Sequence, residues 1–552
     1  MYKSALIISS SLLLLACGGS SSDEKNPVVT VPSVEPTIPA VDHSGLTPLT
    51  FNNIDLLEHK SGGDATLFIS NENAFGTRPR AIADDFQLDG HFTSGDHLFR
   101  TPDNGIGPIL NTGSCQGCHL NDGRGVVPNS PSDPLSSMLV KIADSLGNAD
   151  PTYGDQIQPF AVQGFTSDDF TSGFSKHDGS VSGTELFGEA FPYVEYEIIK
   201  GSYPDGMGYE LRKPVYKVRD LSYGPFLDDI RFSARLAPQV FGVGLLDAIP
   251  QENILKLVDE NDKDNDGISG RASMVKDIFS GEMVIGRFAY KAQNPSVLQQ
   301  VAGAYNGDMG VSTSVFPKEP CTENQLACQL ATEQESNIGE VFDLSDHSLA
   351  LVEFYNRVLG VPARRGYHIE NKTWNTEVTA GRELFFKSNC TGCHTPRHVT
   401  TEAKGSVLGG LTLGGLTENA EPITVLSNQT IFPYTDLLLH DMGGSCQVTR
   451  ETVEGLSCSA GAECHYVQRC EGLADGVIQG DANGNEWKTP ALWGIGLVQT
   501  VNPNSTFLHD GRARTIEEAV LWHDGEAKRS KEMFMSLSAS ERGQLLSFLK
   551  SL

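Results

Sequence analysis

The chain is short of positive charge, of charged residues in general, and of long apolar runs. Its 552 residues carry 41 Lys and Arg against 70 Asp and Glu, a net charge of -29. A broad nucleic-acid-binding surface would work against that field, which argues against DNA or RNA as a partner. Charged residues make up only 20%, while glycine (57) and proline (28) are plentiful. That balance excludes a coiled coil or a fully disordered chain and suits a globular body rich in loops. No fixed period recurs, which excludes a solenoid. After the N-terminal segment, no apolar run approaches the length of a membrane-spanning helix.

That segment is informative in itself. Lys3 precedes an apolar run from Ala5 to Leu15, which ends in Leu14, Leu15, Ala16, Cys17 and Gly18. The run is too short to span a bilayer and closes on a cysteine, the pattern of a secretory signal with a lipobox. Residues 1–16 are expected to be the signal peptide and Cys17 the lipidated first residue of a bacterial lipoprotein. Gly18 and Gly19 after the cysteine resemble lipoproteins sorted to the outer membrane. Residues 17–47, Ser/Gly-rich and then Pro-rich, read as a tether. The expected location is the cell envelope, on the outer membrane by lipid anchor only and facing the periplasm.

Helical periodicity is clear in four places. Leu351, Phe354, Tyr355 and Val358 share one face before Pro362 stops the run. Residues 378–386 predict a short helix leading into Cys390. Thr515 with Glu518 predicts a capping box, followed on one face by Ile516, Ala519, Val520 and His523. Ser538 with Glu541 predicts a second box, before Leu545, Phe548, Leu549 and Leu552. The body is therefore expected to be mainly α with long irregular loops. A boundary near 370 divides a 48–370 region from a 371–552 unit of cytochrome size.

Of 11 cysteines, Cys115-Gln-Gly-Cys118-His119 and Cys390-Thr-Gly-Cys393-His394 form two CxxCH motifs. Two thiols add across porphyrin vinyl groups and the adjacent histidine binds iron, so the spacing is dictated by the chemistry of haem c. Two covalent haems c are expected, with His119 and His394 as proximal ligands. Zinc would want four ligands from such pairs and is disfavoured. Cys321, Cys328, Cys446, Cys458, Cys464 and Cys470 are an even set in an oxidising compartment and predict three disulfides. Cys321 with Cys328 closes a local loop, and the pairing of the other four is open. Cys458 to His465 also reads as a stretched haem motif, although the neighbouring cysteines need partners.

Around these motifs the chain resembles the bacterial di-haem oxidoreductases, peroxidase-like proteins also named thiol oxidoreductases and distantly related to di-haem cytochrome c peroxidases. The resemblance rests on Gly105-Ile-Gly-Pro108, Ser114 to Gly125, Tyr153-Gly154 with Gln156, Leu236-Ala-Pro238, Gly242 to Pro250, Asp264 to Arg271, Gly286-Arg-Phe288, Asp308-Met-Gly310, Cys390 to Pro396, Thr489 to Trp493, and Phe507-Leu-His-Asp-Gly511 through His523. The cysteine-rich stretch 446–470 departs from the pattern. The resemblance implies two cytochrome c-like haem domains, the first, within 48–370, elaborated by a large insertion. It also implies a distal ligand to the second haem from the helix after the Phe-Leu-His-Asp-Gly turn, where His523 stands. Met442 and His440 are the fallback candidates.

For the first haem, His91, His97 and Met138 are weak distal candidates. His509, Arg512 and Arg514 fit either a haem-propionate site or an exposed basic loop, and Trp493 either an electron relay or core. Asp262, Asp264 and Asp266 have the alternation of a calcium loop, but the twelfth position is Ser273 rather than Glu, and an Asp/Gly turn is the alternative.

The function these features imply is a peroxidase-like di-haem c oxidoreductase. A small redox protein or a quinol-linked donor would feed the second haem, and a small oxidant such as hydrogen peroxide would be reduced at the first. The alternative is an electron-transfer cytochrome with two six-coordinate haems and no substrate. A dithiol enzyme is disfavoured, because the only CxxC pairs are those of the haem motifs.

Overall fold

The computed structural model describes residues 57–102, 105–162, 186–335, 342–417, 420–458 and 464–552. The signal segment, Cys17 and the tether lie outside the described residues. Among these residues, no helix is long and apolar enough to cross a membrane.

The expectation of a mainly α body is overturned: 28% of the described residues are helical and 21% are strand, spread over many small sheets. The largest difference is a long hairpin. Phe191–Ser202 and Gly208–Arg219 pair antiparallel along their full twelve residues. Their sequences are rich in Tyr, Val and Ile, which favour the pleated surface. The turn Tyr203-Pro-Asp-Gly206 joins them, with Gly206 at φ +87°, a conformation that glycine adopts without the Cβ penalty. The 446–470 stretch completes this sheet. Cys446–Glu451 and His465–Cys470 form a second hairpin whose inner strand pairs with Gly208–Arg219. A three-stranded sheet of Met138–Ala143, Gln156–Ile157 and Arg231–Leu236 lies against it. Both share a core of Val140, Phe232, Val194, Tyr216 and Tyr466.

The helices gather in a second and larger core, to which both haem-motif regions contribute. Two helix crossings frame the motifs. Phe86–Arg100 crosses Asp346–Val358 at Gly95, where a Cβ would lie 2.3 Å from the Leu351 carbonyl oxygen. Thr376–Lys387 crosses Ala539–Ser551 at Gly381, where a Cβ would lie 1.9 Å from the Gln544 carbonyl oxygen. Each crossing delivers a motif: the Phe99 ring lies 6.2 Å from that of His119, and Phe385 6.2 Å from His394.

The Ser538–Glu541 capping box forms with both reciprocal hydrogen bonds. At Thr515 only half forms. Its hydroxyl accepts from the Glu518 N–H, while the Glu518 carboxylate turns to the backbone N–H and guanidinium of Arg514.

Candidate functional site

Two cavities hold the two motifs. The first, of about 440 Å³, is lined by Cys115, Cys118 and His119 together with Arg235, Gln239, Tyr290, Gln293, Asp308 and Met309. The second, of about 200 Å³, is lined by Cys390, Cys393, His394 and His523, with Arg124, Met442, Trp487 and His509. Gln239 and Tyr290 face both and form the wall between them. The first falls within the range of small-molecule and cofactor sites, and the second is smaller.

In each cavity the imidazoles are oriented in the same way. His119 Nδ1 lies 2.6 Å from the Pro238 carbonyl, His394 Nδ1 3.0 Å from that of Tyr434, and His523 Nδ1 2.7 Å from that of Ala519. A carbonyl can only accept, so each Nδ1 carries the proton and Nε2 is left with its lone pair, the arrangement of an iron ligand. Burial pushes the pKa of His119 and of His394 down to about 4, with the nearby charge of His523 adding to the effect on His394. Burial also lowers that of His523. All three are neutral at pH 7 and able to bind a cation. His523 sits just past the end of Ile516–Trp522 rather than on the helix face, bonding back to Ala519.

His440 does not share this arrangement. Its Nε2 lies 2.8 Å from Asp436 Oδ2 and its Nδ1 2.8 Å from Glu526 Oε2. Carboxylates accept from both nitrogens, so His440 is an imidazolium with no lone pair to give to iron. Burial works against the charge, but the carboxylates beside it, Asp436 foremost, outweigh it and hold the pKa well above the usual value. Met442 lines the second cavity beside it.

The weak candidates for the first site are elsewhere. His91 is buried against Phe354 and contacts the Thr412 carbonyl, His97 is exposed, and Met138 belongs to the sheet core. Arg512 is not in an exposed loop: it is 1% exposed and paired with Asp510. Arg514 pairs with Glu518. Trp493 is core, packed where a Cβ on Gly242 would meet it at 2.6 Å.

Trp487 lines the second cavity instead. Its ring stacks on His509 at 3.7 Å and 12° and meets Tyr290 edge-on at 6.3 Å. The backbone of Leu236–Pro238 ties the two cavities together. It accepts from His119 and from the Tyr290 hydroxyl, and its Leu236 N–H donates to the His509 carbonyl. Trp487, Tyr290, Gln239 and Arg235 were not predicted as site residues; the signal available was that Leu236–Pro238, Gly286–Phe288 and Thr489–Trp493 lie next to them in the chain.

The six remaining cysteines pair as Cys321–Cys328, Cys446–Cys470 and Cys458–Cys464. Cys464 is therefore in a disulfide rather than in a stretched haem motif. Asp262, Asp264 and Asp266 place carboxylate oxygens within 4.8 Å of one another. Ser273 donates to the Ala292 carbonyl, away from that cluster. Asn389, which precedes Cys390, donates to Asp266 at 3.3 Å.

Whether the first cavity fits a haem is tested by its polar wall. Arg235 Nη2 and Gln293 Nε2 are buried with no hydrogen-bond partner, a costly state for two donors that an occupant bearing carboxylates would relieve, while the equally unmet Gln239 Oε1 needs a donor instead. The residues fit the group.

Among known proteins, the family model described as "Di-haem oxidoreductase, putative peroxidase" matches residues 58–455 and 464–552. The gap falls within the cysteine hairpin. No curated protein matches. A hydrazine synthase structure from Kuenenia stuttgartiensis shares 16% identity over 46% of this chain and 70% of that one, with a TM-score of 0.22 that carries neither fold nor chemistry across.

Proposed function

The chain belongs to the di-haem oxidoreductase family, and from that premise we propose that it is a peroxidase-like enzyme of the bacterial envelope carrying two covalent haems c. Cys115, Cys118 and His119 hold one, and Cys390, Cys393 and His394 the other. His523 would be a further iron ligand at the second site. The observation that carries this reading is the repeated Nδ1–H to carbonyl bond, which gives three imidazoles a ligand's tautomer inside two cysteine-lined cavities. The 48–370 and 371–552 regions are the two haem units. When bound, the haems would supply the redox chemistry, with a donor protein or quinol-linked donor as the electron source at the second site and, at the first, a small oxidant such as hydrogen peroxide, whose reduction to two waters consumes two electrons and two protons.

The chain's own part is ligation and proton supply. Asp308 lines the first cavity, and burial raises its pKa although Gln156 donates to it at 2.8 Å. It holds a proton to higher pH than an exposed aspartate, as a proton donor must. The Asp262, Asp264 and Asp266 loop is read as a Ca2+ site bracing Asn389 at the second motif. Signal peptide, Cys17 lipidation and outer-membrane anchoring complete the reading on sequence grounds.

The test is low-temperature EPR of the haem-loaded chain, fully ferric and half-reduced, alongside peroxide consumption with a reduced donor. A high-spin ferric signal with turnover supports the enzyme. Two low-spin irons throughout, without turnover, mean an electron carrier.

A further inference from the structure

Buried charge between the two cavities does not balance. Lys291 and Arg235 are 0% and 5% exposed, and both face Asp475, with Asp155 acting on Arg235 as a second carboxylate that makes no hydrogen bond to it. Lys291 takes most of it: its ammonium donates to Asp475 Oδ1 at 2.9 Å and to the Val477 and Asn483 carbonyls at 2.8 and 2.7 Å, which uses all three donors. Arg235 donates from Nε to the Ser233 hydroxyl at 3.0 Å. Its Nη2 stands 3.9 Å from Asp475, too far for a hydrogen bond, and has no partner. Burial outweighs the pull of Asp475 and Asp155 and lowers the pKa of this guanidinium, the signature of a cation short of its counter-charge.

A second donor is stranded in the same wall. Gln293 Nε2 is buried without a partner and lines the first cavity with Arg235. Two unmet N–H donors, one of them cationic, specify an anion with two acceptor oxygens; guanidinium and carboxylate match in that way. Gln239 and Tyr290, which both cavities share, belong to this wall. Near the cysteines stand different groups, since Asp308 is close enough to act on the Cys118 thiol.

We infer that Arg235 and Gln293 form a carboxylate clamp that takes a propionate of the haem attached at Cys115 and Cys118. The clamp would give Arg235 Nη2 the hydrogen-bonded counter-charge that Asp475 Oδ2, at 3.9 Å, does not provide. This rests on the di-haem reading above. The same donors would accept a free carboxylate, so the experiment separates the two sources.

The test uses the holoprotein with Arg235→Gln, Arg235→Lys and Gln293→Leu. Haem content by pyridine haemochrome comes first; fewer than two haems per wild-type chain defeats the di-haem reading rather than the clamp. With two haems loaded, EPR-monitored redox titration at several pH values reads the midpoint potential of the first haem. Arg235→Gln is expected to lower it, because a positive charge beside the ferric state is lost, and to make it fall more steeply with pH as the released propionate titrates. Arg235→Lys should restore much of the potential. Gln293→Leu should shift it in the same direction by less, and carries the test if Arg235→Gln does not fold. Potentials and pH slopes equal to wild type in both Arg235→Gln and Gln293→Leu overturn the clamp. A saturable shift of the wild-type potential on adding acetate, absent in Arg235→Gln, assigns the clamp to a free carboxylate and overturns the propionate assignment.

Discussion

Removing the Glu58 carboxylate should be the most damaging single change outside the cavities. Glu58 is 0% exposed and lies 2.8 Å from Arg364 Nη1 and 3.2 Å from Arg382 Nε, both on side chains 1% exposed. The Tyr434 hydroxyl donates to it, and the backbone carbonyl of the same Tyr434 accepts from His394. Breaking a buried ion pair from one side costs about 3–5 kcal/mol, because the partner is left charged and unpaired. Here two guanidiniums lose one counter-charge, so Glu58→Gln belongs at the upper end of that range. That is a large share of the roughly 5–15 kcal/mol that keeps a domain folded. Urea midpoints followed by the haem absorbance of the 390–394 motif measure it, and the loss should be accompanied by a changed ligand-field band of the second haem as Tyr434 loosens. The pH dependence has a definite sign. Burial raises the pKa of Glu58, but Arg364 and Arg382 outweigh it and hold the value below the ordinary 4.5. The stabilisation is therefore complete above the unfolded-state value near 4.5 and drains away as the pH falls through the folded one. The gap between wild type and Glu58→Gln should be full at pH 7 and shrink in acid below that point. Equal midpoints at pH 7 would refute the assignment of Glu58 as the counter-charge of this pair.

His523→Ala should open the sixth position of the second iron and convert its ferric EPR signal from low-spin to high-spin, whereas Met442→Leu should leave it low-spin; the reverse pattern would make Met442 the ligand. Gly381→Ala forces a methyl to within 1.9 Å of the Gln544 carbonyl oxygen and should cost about 1–3 kcal/mol of overpacking in thermal melts. Gly543→Ala, exposed in the partner helix and meeting nothing within 4 Å, is the control and should instead stabilise by about 0.5–1 kcal/mol through helix propensity. Terbium luminescence sensitised by neighbouring aromatics, lost in Asp264→Asn and competed by Ca2+, should report the Asp262, Asp264 and Asp266 cluster; no binding below millimolar metal would leave it an Asp/Gly turn.

What could be read from the sequence and what could not divide along physical lines. The CxxCH motifs encode a covalent requirement in five adjacent residues, and the Ser538 capping box encodes its hydrogen bonds in four, so both survive without a fold. The Phe191–Arg219 hairpin was equally local, with aromatic and β-branched runs around Tyr-Pro-Asp-Gly, and a period of 3.6 sought elsewhere drew the expectation to helix. The wall between the cavities is of another kind. Trp487 rather than Trp493 faces a cavity because Glu486–Lys488 pairs with Leu439–Asp441, a register that neither segment announces. Arg235, Lys291 and Asp475 come from three distant parts of the chain and meet only when the sheet and the 475–487 loop close. Most telling are the carbonyls of Pro238, Tyr434 and Ala519. Every residue carries a carbonyl, so the groups that fix the tautomer of each imidazole leave no mark on side-chain identity. The ligands are legible as residue types; what makes them ligands, a proton held on Nδ1 by a particular backbone oxygen, is written in the path of the chain.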